Sequence, residues 1–261
     1  GTPTIETPLG IYHQWCVSKY SPFDHYTSFY KFFREYGVPD PVWVNGRTVE
    51  QYKKYKDKLL PEIEKYAVRI SQDDAGIKHQ AKDRLHVVPL DASTKMHLKD
   101  IETNNTLGNL MVFDTDMGVR TAIHQVEAGA VLYDEKLVML PNTEVVDYLY
   151  KTFGDTDDVV YFCHFRSTRQ KLSEYFKHAQ VLSSISNAEG TSFAHMKHVV
   201  IVNTGYSGAK FAQLRERVTN MNRTTEAIIH YVTTDAGVSG DVYTAVNQKK
   251  DFNLRAFRAR T

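Results

Sequence analysis

The rhythm of hydrophobic positions changes twice along the chain. Between residues 9 and 66 it is helical. Phe23, Tyr26, Phe29, Tyr30, Phe32, Phe33 and Tyr36 recur at i, i+3, i+4 and i+7. That spacing predicts an aromatic amphipathic helix, stopped by Gly37 and Pro39. Tyr52, Tyr55, Leu59, Leu60, Ile63 and Tyr66 predict a second amphipathic segment over 49–66. Residues 67–84 are polar and loop-like. A strand over 85–90 and a helix over 93–102 follow. After a mixed stretch come a helix over 119–127 and a short hydrophobic piece over 130–133.

Beyond 142 the pattern alternates between short apolar runs and helical periods. Helices are expected over 143–153, 167–178, 207–221 and 242–260, and strands over 159–165, 180–184, 198–203 and 227–233. Ser167 and Gln170 have the spacing of a capping box. Short buried-type strands between helices predict an α/β fold, a parallel sheet flanked by helices on both faces. Ligands gather at the carboxyl ends of such strands. The loops in question are 164–168, 184–193, 203–208 and 234–241.

Composition narrows the class. With 42% hydrophobic and 24% charged residues the chain has ordinary globular values, which exclude a disordered or collagen-like chain. No apolar run approaches the roughly 18 residues of a membrane span. The net charge of +1 leaves nucleic-acid binding open, because local patches decide it. Cys16 and Cys163 are far apart and sit in no ligand-spaced pair, so they read as small buried hydrophobes in a reducing, intracellular setting. The expected location is the cytoplasm.

Three segments follow one another in an informative order. Phe162-Cys163-His164-Phe165-Arg166-Ser167 is a strand entering a helix start. Ser183-Ser184-Ile185-Ser186-Asn187-Ala188-Glu189-Gly190 is a strand entering a small polar loop. Ala209-Lys210-Phe211-Ala212-Gln213-Leu214-Arg215-Glu216-Arg217 is a helix with Asn220 and Arg223 beyond it. The order resembles motifs IV, V and VI in the carboxyl-terminal RecA-like lobe of superfamily 2 helicases and translocases, Swi/Snf-like branch. Gly1-Thr2-Pro3 resembles the end of motif III. The Ser-Asn-Ala-Glu-Gly phrase is similar to compact phage-encoded members, which implies a host-cell cytoplasmic setting.

The resemblance implies an organisation and a set of roles. Residues 1–8 would end an amino-terminal lobe, 9–84 would be a mostly helical inter-lobe insertion, and 85–261 the RecA-like lobe. Arg166, Ser167, Thr168, Ser186 and Asn187 would hold nucleic-acid phosphates at helix starts without reading bases. Glu189, Gly190 and Arg217 would face the nucleotide. Arg217 with Arg223, supported by Gln213, would bring positive charge to the phosphates of ATP. The implied partners are DNA and the amino-terminal lobe, and no membrane. ATP and Mg would be held mainly by that other lobe, so this chain alone is expected to be inactive. Two positions depart from the family pattern: Glu216 stands where a glycine is usual, and Asn220 where the second arginine falls. Asn220 motivates an alternative, a non-catalytic nucleic-acid-binding or interaction module on the same lobe. A small-molecule α/β enzyme lacks a Gly-rich fingerprint after its first strand.

Plainer readings stand beside these. The stripe over 23–36 is core rather than a base-stacking platform. Lys53, Lys54, Lys56 and Lys58 form a solvated face, and Arg215, Arg217 and Arg223 can equally be one. Ala130-Val131-Leu132-Tyr133-Asp134-Glu135 looks like a magnesium-binding strand, yet no Gly-Lys-Ser/Thr loop accompanies it. His164, His195, His198 and Cys163 match no structural zinc spacing, so no metal is expected.

Overall fold

The computed structural model describes residues 7–44, 46–68, 74, 76, 81–108, 111–185, 193, 195–218, 226–248, 252 and 257. The chain divides into two compact units, Gly1–Ser71 and Gln72–Thr261.

The first unit is built on aromatic packing. It contains α1 (Ile11–Trp15), α2 (Phe29–Tyr36), the hairpin β1 (Pro41–Val44) with β2 (Arg47–Glu50), and α3 (Leu59–Glu64). Ser28 caps α2 by accepting from the Lys31 N–H. Leu9, Ile11, Phe23, Phe32 and Leu59 are fully buried together, and Phe23 meets Phe32 edge-on at 4.9 Å. The stripe is therefore core. The helix expected over 49–66 is instead the end of a strand and one short helix. Pro61 explains the shortening: it is tolerated in the first turn of α3 but would remove a donor inside a longer helix. The four lysines around it are exposed.

The second unit holds a five-stranded parallel sheet in the order β3-β11-β10-β8-β9. Its elements are β3 (Ala81–Val88), α4 (Ala92–Asn104), β4 (Thr106–Leu107), β5 (Met111–Val112), α5 (Asp116–Val126), β6 (Ala130–Tyr133), β7 (Lys136–Met139), α6 (Glu144–Phe153), β8 (Val159–Cys163), α7 (Arg166–Tyr175), β9 (Gln180–Ser183), β10 (His198–Val202), α8 (Gly208–Glu216), β11 (Ala227–Thr234) and α9 (Ser239–Asn247). The fold class is the α/β arrangement expected from the alternation.

Both faces of the sheet are covered, which is why β8 is buried at every position. Val160 and Phe162 pack with Phe211 and Leu214 of α8 and Val246 of α9. Val159, Tyr161 and Cys163 pack with Val145 and Leu149 of α6 and Leu172 of α7. A third cluster joins α4, α5, β6 and α9. Strand β3 begins four residues before the apolar alternation does. Lys82, Asp83 and Arg84 lie on a sheet edge, where charged side chains are tolerated and hide the strand from a hydrophobicity reading.

Two local segments take definite forms. The run ending Asp134-Glu135 is a hairpin: β6 pairs with β7, and these two residues form its turn at φ 46° and 63°. Ser167 is not a helix cap; Phe165 occupies that position, without a side-chain cap bond.

Candidate functional site: the carboxyl edge of the sheet

Among the helices that begin at the carboxyl edge, α7, α8 and α9 each have their start finished differently. At α7, Ser167 and Thr168 are fully buried. The Ser167 hydroxyl donates to Gln125 Oε1 of α5. The Thr168 hydroxyl donates to Asn203 Oδ1 at 2.6 Å, and Asn203 Nδ2 donates to the His124 carbonyl at 2.8 Å. Both hydroxyls fasten α7 to the neighbouring layers. The phosphate-contacting role expected of them does not fit that burial, whereas Arg166 is exposed.

At α9 the start is closed by Glu127, which is 1% exposed. Its carboxylate accepts from the Val238 N–H at 2.6 Å, from the Ser239 N–H at 3.2 Å and from the Thr234 hydroxyl at 2.6 Å. Val238 supplies no side-chain cap, so the glutamate takes the orphan donors of the first turn. Gly237, at φ 91°, lets the backbone close on this carboxylate; a Cβ there would collide with it. Burial pushes the Glu127 carboxyl up to about 7, against the pull of its hydrogen bonds.

At α8 the start is open. Strand β10 is followed by Asn203, whose left-handed φ of 55° turns the chain into Thr204, Gly205, Tyr206 and Ser207. Ser207 is the N-cap and accepts weakly from the Lys210 N–H at 3.4 Å. A cleft of about 150 Å³ lies there, lined in part by His164, Thr204, Ser207 and Lys210. A Cβ on Gly205 would stand 2.8 Å from His164 Nδ1, so only glycine fits the approach. Burial, with the nearby cations Lys210 and Arg120, pushes His164 down to about 4 and keeps it neutral. The Arg120 guanidinium stacks 4.0 Å over the Tyr206 ring.

The opposite edge carries arginines. Arg215 pairs with Asp83 at 3.0 Å and donates to the carbonyl of Ala81, the first residue of β3. Arg217, at the end of α8, is exposed, and its carbonyl accepts from the Phe193 N–H. Gln213 is exposed one turn earlier. Arg217 thus lies beyond Leu214, the last α8 residue that lines the cleft, and Gln213 falls within that stretch. Ser186, Asn187, Glu189, Gly190, Asn220 and Arg223 lie outside the described residues, as does Gly1-Thr2-Pro3.

The sequence reading places ligands at the loop 203–208 but singles out neither Thr204 nor Lys210. Its available signal was the strand–turn–cap run Val202-Asn203-Thr204-Gly205-Tyr206-Ser207. Among the described residues no group of three or more His, Cys, Asp or Glu is placed to hold a metal ion, and no helix is long and apolar enough to cross a membrane.

No protein-family model matches the chain, and no curated protein matches it. Among solved structures, the C-terminal part of the Fun30 ATPase domain is similar at 11% identity, covering 68% of this chain and 94% of that one with a TM-score of 0.41.

Proposed function

We propose that the chain supplies the carboxyl-terminal RecA-like lobe of an ATP-dependent DNA helicase or translocase of the Swi/Snf-like branch. One observation carries this reading. A single helix, α8, links a cleft with hydroxyl and ammonium groups at one edge of the sheet to an exposed arginine at the other. Its nine residues span about 13 Å as a rigid rod. Under this reading the donors of the cleft meet nucleic-acid phosphates and Arg217 meets ATP.

The side chains present fit half of a nucleotide site. Arg217 offers a delocalised cation that can meet phosphates held by a partner lobe, and Gln213 shares its side of the helix as a hydrogen-bonding neighbour. No phosphate loop occurs in the sequence, so ATP and Mg belong mainly to that partner, where ATP supplies the phosphoryl chemistry. This chain's part is charge stabilisation at Arg217. At the carboxyl edge, Arg166 replaces Ser167 and Thr168 as the α7 residue that meets a strand. The segment before the sheet is read as the inter-lobe insertion.

The test is DNA-stimulated ATP hydrolysis after joining the chain to an amino-terminal lobe with a phosphate loop. Arg217→Ala is expected to lower turnover at least about tenfold with unchanged thermal stability. Normal turnover in that variant overturns the role. The second reading, a binding module without turnover, is favoured by Asn220; under it the joined protein binds DNA and hydrolyses nothing.

A further inference from the structure

The cleft at the start of α8 has a feature the motor reading does not explain. Thr204 is only 3% exposed, lines the cleft, and its hydroxyl has no hydrogen-bond partner among the described residues. Buried hydroxyls are nearly always paired, because burial strips their water. An orphan beside a cleft marks a place where a partner arrives from outside. The surroundings say which kind. The first turn of α8 presents the positive end of its dipole there. The Ser207 hydroxyl accepts from the helix, which leaves its own proton to donate. Lys210 makes no ion pair among the described residues and borders the same space. No carboxylate lines the cleft among the described residues. Three donors without an anion are therefore assembled around one empty volume.

Beside these donors, His164, Ser184 and Tyr206, the cleft has an apolar part. Ile185, Phe211 and Leu214 form its side, with Phe211 and Leu214 anchored in the sheet cluster. A protein cavity of about 150 Å³ is large enough to take one benzene ring. That volume is enough for an oxyanion on the donors, while a flat ring lies against Ile185, which is 46% exposed.

We propose that this cleft binds one nucleotide unit, its phosphate on Thr204, Ser207 and Lys210 and its base against Ile185. The inference deepens the motor reading and rests on it for the class of ligand, while its test reads binding and not ATP turnover. It contrasts with the α9 start on the same edge, where Glu127 already occupies the anion position. His164, pushed down by burial and by the nearby Lys210 and Arg120, lines the same cleft. The phosphate can belong to a single strand or to a free mononucleotide, and the chemistry is the same.

Calorimetric titration of the 261-residue chain tests it, with inorganic phosphate, thymidine monophosphate and a short oligothymidylate as the probes. Both nucleotide ligands are expected to bind more tightly than inorganic phosphate. Thr204→Val keeps the side-chain shape and loses only the hydroxyl. It should weaken nucleotide binding at least about tenfold while the melting temperature stays level or rises. Lys210→Ala should weaken binding and flatten its salt dependence. A tighter oligonucleotide assigns the phosphate to a strand, and a tighter mononucleotide to a free nucleotide; either supports the site. Unchanged affinity in folded Thr204→Val overturns it. So does inorganic phosphate binding as tightly as the nucleotides, which leaves the apolar wall without a role.

Discussion

Helices α8 and α9 begin at the same edge of the same sheet, at the ends of adjacent strands, yet their starts are opposites. The α9 start is filled from within: Glu127 reaches it from the end of α5 and satisfies two backbone donors and a threonine. The α8 start has only a weak serine cap, an orphan hydroxyl and a cleft. Both present the same helix-end electrostatics, so the difference lies in whether the chain itself provides the acceptor. Where the fold needs closure, the chain provides its own carboxylate. Where it leaves donors unmatched, a ligand is expected.

That comparison can be broken most forcefully at Glu127. Glu127→Ala leaves the Val238 and Ser239 N–H groups and the Thr234 hydroxyl facing a void. It should cost about 3 kcal/mol in a urea titration. A loss well under 1 kcal/mol would mean that the α9 start does not depend on its internal anion.

A smaller and more specific effect is expected from pH. The folded carboxyl of Glu127 titrates near 7, above its ordinary 4.5. Between those values the unfolded chain releases the proton and the folded chain retains it, so this group's contribution to stability falls as pH rises. Glu127→Gln does not titrate. Its penalty relative to the native chain should therefore be largest below pH 4.5 and shrink by about pH 7. Stability curves for the two proteins at a series of pH values check the sign. A pH-independent difference contradicts the buried, elevated carboxyl.

The smallest effect belongs to the open start. Without ligand, Thr204→Val removes a hydroxyl that bonds to nothing among the described residues. Thermal denaturation should shift by no more than about 0.5 kcal/mol, or favour the variant. A large loss would show that the hydroxyl is structural.

How much of this was legible in the sequence follows from where the determining contacts lie. The strands over 159–234 were legible because burial on both faces leaves continuous apolar runs, as in Val159-Val160-Tyr161-Phe162-Cys163. The edge strand β3 was half legible, since its first residues are charged. The segment over 49–66 misled because tyrosines and lysines at helical spacing outweighed Pro61. Ser167 misled in another way. Its spacing to Gln170 fits a cap, but Gln125, far back in the sequence, takes its hydroxyl. The same distance hides Glu127, whose partners lie more than a hundred residues ahead. Arg217 and Gln213 were named on the resemblance to motif VI, and their four-residue spacing is one a helix preserves. Thr204 announces itself only by a missing partner, and no sequence pattern records that.

The central claim is that one helix start is open to a nucleotide and its neighbour is shut. Backbone amide spectra recorded while thymidine monophosphate is titrated into the chain test it directly. The account predicts shifts concentrated at residues 204–210, with the amides of 236–240 unmoved. Shifts centred on 236–240, or a silent 204–210 segment while calorimetry reports binding, would contradict it.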